Sequence, residues 1–111
     1  MESILTSIKL LLGIEESCAS FDGPIIMHIN SALFDLKQLG AIPNSFSITS
    51  DEKTWFDLLG ETEDLEAVKT LVYFKVKLAF DPPQSSSHLT ALKESIKEYE
   101  WRLNVEVDKG V

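Results

Sequence analysis

The sequence holds one cysteine, Cys18, in 111 residues. That excludes a disulfide within the chain and any cysteine pair for a structural metal. Histidine is almost as scarce, with only His28 and His88. A catalytic triad would need one of them beside a nucleophile and an orienting acid, and no local pattern provides this. The five glycines stand singly, at Gly13, Gly23, Gly40, Gly60 and Gly110, so there is no phosphate-cradling loop. No acidic spacing matches a calcium loop. The expectation is therefore no catalytic residue, no cofactor and no metal site.

Positive charge is also short. Ten Lys and Arg face eighteen Asp and Glu, for a net charge of −8. Residues 1–68 carry three lysines against twelve acids, whereas residues 69–111 carry seven basic and six acidic residues. No basic stripe forms, which disfavours grip on a nucleic-acid backbone. A helix-turn-helix reading fails on the same ground, because its recognition helix would offer only Lys37 and His28 to phosphates. No apolar run approaches the roughly 20 residues that span a bilayer, so no membrane partner is expected. Met1 to Ile14 interrupts its apolar pattern with Glu2 and Lys9 and does not read as a signal peptide. The cell interior is the expected compartment.

What is present is a normal globular balance, 44% apolar and 25% charged, which argues against wholesale disorder. The length suits one domain, residues 1–111. Ile4, Leu5, Ile8, Leu11 and Leu12 predict an amphipathic helix over 2–12, stopped by Gly13. Asp22 as N-cap and Pro24 in the first turn open a second helix, 22–40. Its stripe is Ile25, Ile26, Ile29, Leu33, Leu36 and Leu39, and Gly40 closes it. Asn30 lies beside that stripe and, if buried, needs partners for its amide. Residues 41–52 are irregular, with a brief strand-like alternation over 46–49. Ser50 or Asp51 is placed to cap a short helix over 52–59. Residues 63–79 predict a fourth helix, acidic in its first turn and basic in its last, as the helix dipole favours.

Phe80-Asp81-Pro82-Pro83 makes a rigid corner. Leu89, Leu92, Ile96, Tyr99 and Leu103 then step by three and four, a seam for packing on another helix over 87–103. Val105 and Val107 alternate with acids, which reads as a short extended C-terminal arm, 104–111. The fold class is all-α: a small bundle of four to five helices, an irregular loop after helix two, and that arm.

Apolar surface is in surplus. Tyr73 and Phe74 extend the apolar character of helix four beyond one face. Trp101 lies off the fifth helix's seam and needs a second partner surface, whereas Trp55 reads first as core. Phe46 and Ile48 are either tucked onto the helices or offered to a neighbour. Phe46, Ile48, Tyr73, Phe74, Trp101, Val105 and Val107 are the candidate residues for contact with other subunits or partners.

Several stretches together resemble the phage head–tail connector, or neck adaptor, family. They are Ile4 to Ile14, then Phe21-Asp22, Ile25-Ile26, His28-Ile29-Asn30 and Leu39-Gly40. Trp55-Phe56-Asp57-Leu58-Leu59, the Phe80–Pro83 corner and Glu98-Tyr99-Glu100-Trp101-Arg102-Leu103 complete the set. The resemblance implies a helical subunit of the virion neck, assembled in the host cytoplasm. It implies a homo-oligomeric ring, dodecameric, beneath the portal protein, meeting a tail or stopper protein and extending the DNA channel. DNA would pass without sequence-specific binding, and an acidic chain is compatible with lining such a channel. The family's contact regions correspond here to residues 41–49 and 104–111, and no catalytic residue comes with it. The other reading left open by the residues is a small helical adaptor or regulator that binds one protein partner.

Overall fold

A computed structural model describes residues 3–42, 45–60 and 65–109, the last four of these as backbone only. Among them are five helices: α1 (Ile4–Leu11), α2 (Asp22–Leu39), α3 (Trp55–Leu59), α4 (Leu65–Phe80) and α5 (Ser86–Lys109). The molecule measures 42 × 36 × 19 Å along its principal axes, thin enough for about two layers of helix. α2 and α4 form the centre, α1 packs on α2, and α5 packs mainly on α4.

α1 begins where the Ser3 side chain accepts the Thr6 N–H at 3.2 Å. Both α1 and α2 end in the same way. Ile14 N–H returns to the Lys9 carbonyl and Gly13 N–H to Leu10. In α2, Ala41 N–H returns to Leu36 and Gly40 N–H to Lys37. Each pair of bonds is a Schellman turn, and each needs a left-handed residue, which Gly13 (φ 82°) and Gly40 (φ 88°) supply without a Cβ clash.

Three expectations are corrected. Asp22 does not cap α2: Phe21 holds the cap position, without a side-chain bond, and Asp22 is the first helical residue. Its carboxylate instead pairs with Lys9 at 2.8 Å. Lys9 is almost wholly buried and also donates to the Glu16 carbonyl at 2.9 Å, so one ammonium pins the 15–21 link to both helices. The short helix starts later than expected, and its cap is Thr54 rather than Ser50 or Asp51. Thr54 Oγ1 accepts the Asp57 N–H at 3.1 Å and Asp57 Oδ2 accepts the Thr54 N–H at 2.9 Å, a complete capping box. Ser50 is occupied with the Glu52 N–H in a local turn.

Third, the described residues of the expected extended arm, 104–109, are helical and continue α5. An extended arm with no partner strand leaves its backbone groups to water. Continuing a helix already formed satisfies them one by one and starts no new nucleus. Residues 110 and 111 lie outside the described residues, as do Glu63 and Asp64, the acids expected in the first turn of the fourth helix.

The brief alternation over 46–49 makes no ladder among the described residues. Ile48 instead exchanges both its backbone groups with one side chain. Asn30 Nδ2 donates to the Ile48 carbonyl at 2.9 Å, and the Ile48 N–H donates to Asn30 Oδ1 at 2.8 Å. This meets the demand of the half-buried amide and pins the loop across α2. Ile4, Ile8, Ile25, Ile29, Leu33, Leu36, Ile42, Ile48, Trp55, Leu71 and Val72 lie in one contiguous buried cluster. Burying each large aliphatic side chain there contributes about 1.5–3 kcal/mol before entropy is counted. In the same cluster Trp55 Nε1 donates to Ser7 Oγ at 2.7 Å, and Ser7 Oγ donates to the Ile4 carbonyl at 3.1 Å. The indole N–H is therefore satisfied in an apolar setting.

Candidate assembly surfaces

The spacing of α1 sends Ile4, Leu5 and Ile8 into the core. Leu10 and Leu11 are left more than half exposed. Leu11, expected on the buried stripe, is thus an outward residue at the stripe's edge, while Lys9 and Leu12 keep the core side of the last turn. Beside it, α4 buries Val68, Leu71, Val72 and Val76 and turns Tyr73 to its flank. A groove of about 440 Å³ runs between the two helices, its apolar wall made by Leu10, Leu11, Tyr73 and Phe74 and its rim by Glu66 and Lys69, which pair at 3.5 Å. Phe74 is held in an aromatic run, 5.8 Å from the Tyr73 ring and 5.7 Å edge-on from Tyr99 of α5. Tyr99 in turn lies 5.8 Å below the Arg102 guanidinium.

A second surface is the back of α2. Its core stripe occupies Ile25, Ile29, Leu33 and Leu36, and Met27 and Phe34 lie on the opposite side. They are 62% and 59% exposed. Phe34 and Lys37 share a cleft with Phe46 of the loop, over whose ring Lys53 sits at 5.2 Å. A third surface is the outer face of α5, where Trp101 is 67% exposed and Val105 half-buried.

The sequence-derived candidates are thus distributed over three places. Tyr73 and Phe74 line the α1/α4 groove, Phe46 lies in the cleft beside the α2 ridge, and Trp101 and Val105 lie on α5. Phe46 and the helix-four pair Tyr73 and Phe74 do not line the same depression. Ile48 is 1% exposed and belongs to the chain's own core, so it offers no surface as folded. The side chain of Val107 lies outside the described residues. Leu10, Leu11, Met27 and Phe34 were not singled out as surface residues. For Met27 and Phe34 a signal exists, because two large apolar residues seven apart fall on the polar side of an otherwise well-formed stripe.

Charge between the helices is concentrated at Lys75. Its ammonium reaches Asp35 of α2 at 3.1 Å and Glu100 of α5 at 3.0 Å, a three-helix clamp. Partial burial opposes the charged form, but hydrogen bonds and charge from Glu100 and Asp35 outweigh it, and the Lys75 pKa is raised. His28 lies against the Phe80 ring at 6.4 Å, and His88 is exposed. Among the described residues no three His, Cys, Asp or Glu side chains gather into a set able to hold a metal ion. No described helix is long and apolar enough to cross a membrane.

A helical chain with several uncovered apolar surfaces is the frame for the comparison with known proteins. A family model described as phage connector protein matches residues 4–110. The chain belongs to the phage connector protein family. A connector role in a phage, in association with other virion proteins, follows from that membership. No curated protein matches the chain, and no solved structure matches it. The family match spans all five helices.

Proposed function

We propose that this connector protein is a non-enzymatic structural subunit of the virion neck, working as one domain. In this reading copies of the chain close into a dodecameric ring beneath the portal protein. The ring extends the DNA channel and receives a tail or stopper protein. DNA passes through it without sequence-specific contact, and the chain's net charge of −8 suits a wall that does not hold a polyanion. The observation that carries the reading is the family match over 4–110. The uncovered apolar surfaces support it, because large exposed apolar patches on a soluble chain mark interaction sites. A ring of identical subunits needs two different complementary patches per subunit, and this chain has more than one to offer.

The decisive experiment is electron microscopy of virion necks, or of the purified protein mixed with its portal, with subunits counted. A closed ring between portal and tail is expected. A chain found outside the neck, bound one-to-one to a single partner, would instead establish the adaptor reading. Phe46, Tyr73, Phe74, Trp101 and Val105 are the proposed contact residues. If Phe46→Asp and Trp101→Ala variants both assemble as the parent does, those two assignments are wrong.

A further inference from the structure

The back of α2 is a ridge. Met27 and Phe34 stand two turns apart on it, about 10.5 Å at 1.5 Å per residue. The groove between α1 and α4 lies on the other side of the molecule. The buried stripe of α2 packs on that of α4, and Thr70 and Tyr73 are on the turn of α4 away from it. Ridge and groove therefore open on opposite sides of the α2–α4 pair. A helix with anchors at i and i+7 is the shape that a two-helix groove accepts. A two-fold dimer would need one self-complementary patch. A ridge on one face and a groove on the opposite face make the heterologous case, which repeats head to tail.

Direction follows from the fold. α2 runs antiparallel to α4, since His28 meets Phe80 and Asp35 meets Lys75. A neighbour related by a small rotation keeps that direction. Its Met27 then lies toward the Phe74 end of the groove, and its Lys37, three residues past Phe34, lies toward the Glu66 end. Glu66 is 83% exposed on the groove's rim, and Lys37 flanks the ridge. Glu66 pairs with Lys69 on the same rim at 3.5 Å but keeps most of its surface open, so Lys37 approaches the carboxylate of that pair.

We propose that the α2 ridge of one copy seats in the α1/α4 groove of the next. Met27 and Phe34 bear on Leu10, Leu11, Tyr73 and Phe74, and Lys37 faces Glu66. The occupant of the groove is a second copy of this chain. The inference rests on the ring reading above and supplies the contact between its subunits.

The test uses assembled necks in a Cys18→Ser background, with Phe34→Cys and Leu11→Cys made separately and together. Both positions are exposed, so folding is retained. With a short thiol crosslinker the double variant gives a ladder of multimers, a mixture of the single variants gives dimers, and neither single variant crosslinks alone. Crosslinking of a single variant to itself reveals a symmetric contact and overturns the proposal. Rings seen by microscopy without a ladder overturn this contact and leave the connector reading intact. A ladder from a protein absent from the neck supports the contact and sinks the connector reading.

A second pair of variants serves if the cysteine chains do not assemble. Phe34→Asp spoils only the ridge and Leu11→Asp only the groove, so each abolishes the ring alone, and their mixture yields a dimer through the one intact ridge–groove pair. If that dimer does not form, the proposal is wrong. Lys37→Glu should weaken the ladder without abolishing it and added Glu66→Lys should restore it, and lack of restoration overturns the assigned direction.

Discussion

Replacing Asn30 by Ala tests whether the loop after α2 is held by one side chain. Asn30 makes two bonds to the backbone of Ile48, at 2.9 and 2.8 Å. Ile48 is 1% exposed, so its N–H and carbonyl gain only partial access to water, from the cleft beside Asn30 and Ser47, once the amide is gone. An unsatisfied buried group costs about 1–3 kcal/mol, and partial access at this part-buried site favours the lower half for each. The expected loss is therefore about 2–4 kcal/mol, a large share of the 5–15 kcal/mol typical of a domain. Urea denaturation followed by Trp fluorescence reads it as a lower midpoint, and hydrogen exchange reads the Ile48 amide directly.

Asn30→Asp sharpens the test. The new carboxylate still accepts the Ile48 N–H but faces the Ile48 carbonyl oxygen, which raises its pKa in the folded state. Protonation restores a donor, so this variant gains stability relative to the parent as pH falls through that raised pKa and loses it as pH rises. A midpoint shift in Asn30→Ala worth less than about 0.5 kcal/mol, with Ile48 exchange unchanged, would refute the reasoning.

Ser7→Ala should cost about 1–3 kcal/mol by stranding the buried Trp55 N–H, and Trp55→Phe on top of it should cost less than the two changes added separately, as a double-mutant cycle in urea would show. Lys75→Met should cost about 1 kcal/mol or less per lost ion pair, since Asp35 and Glu100 are partly exposed, and the loss should shrink in high salt. Because the Lys75 pKa is raised, its contribution is full below its ordinary 10.5 and fades as pH climbs through the higher folded value. Thr54→Ala should lower thermal stability by about 1 kcal/mol through the lost cap of α3. Hydrogen bonds from the Thr54 backbone and side chain lower the Asp57 pKa. The Asp57 contribution is therefore present above 3.8 and vanishes as pH falls through the lower folded value, visible as an acid-side slope lost in Asp57→Asn.

The sequence by itself determined the helices, their order and the stops at Gly13, Gly40, Gly60 and the double-proline corner, but not the end of α5, expected at 103 and found at Lys109. An apolar period of 3.6, single glycines at positive φ and a double-proline corner act within a few residues, so no tertiary knowledge is needed to see them. It also determined the family, because the spacing of the whole chain carries that resemblance. Only the tertiary structure decided which apolar residues are spent on the core and which are left over. Ile48 and Leu11 look alike as letters. Ile48 is buried because Asn30, eighteen residues earlier, bonds its backbone against α2. Leu11 is uncovered because it lies at the edge of the α1 stripe, where Lys9 and Leu12 take the core side. The Lys75 clamp, the Trp55–Ser7 bond and the opposition of the α2 ridge to the α1/α4 groove are of the same kind. Each joins residues far apart in the chain, and no local pattern records a contact that exists only when separate helices meet.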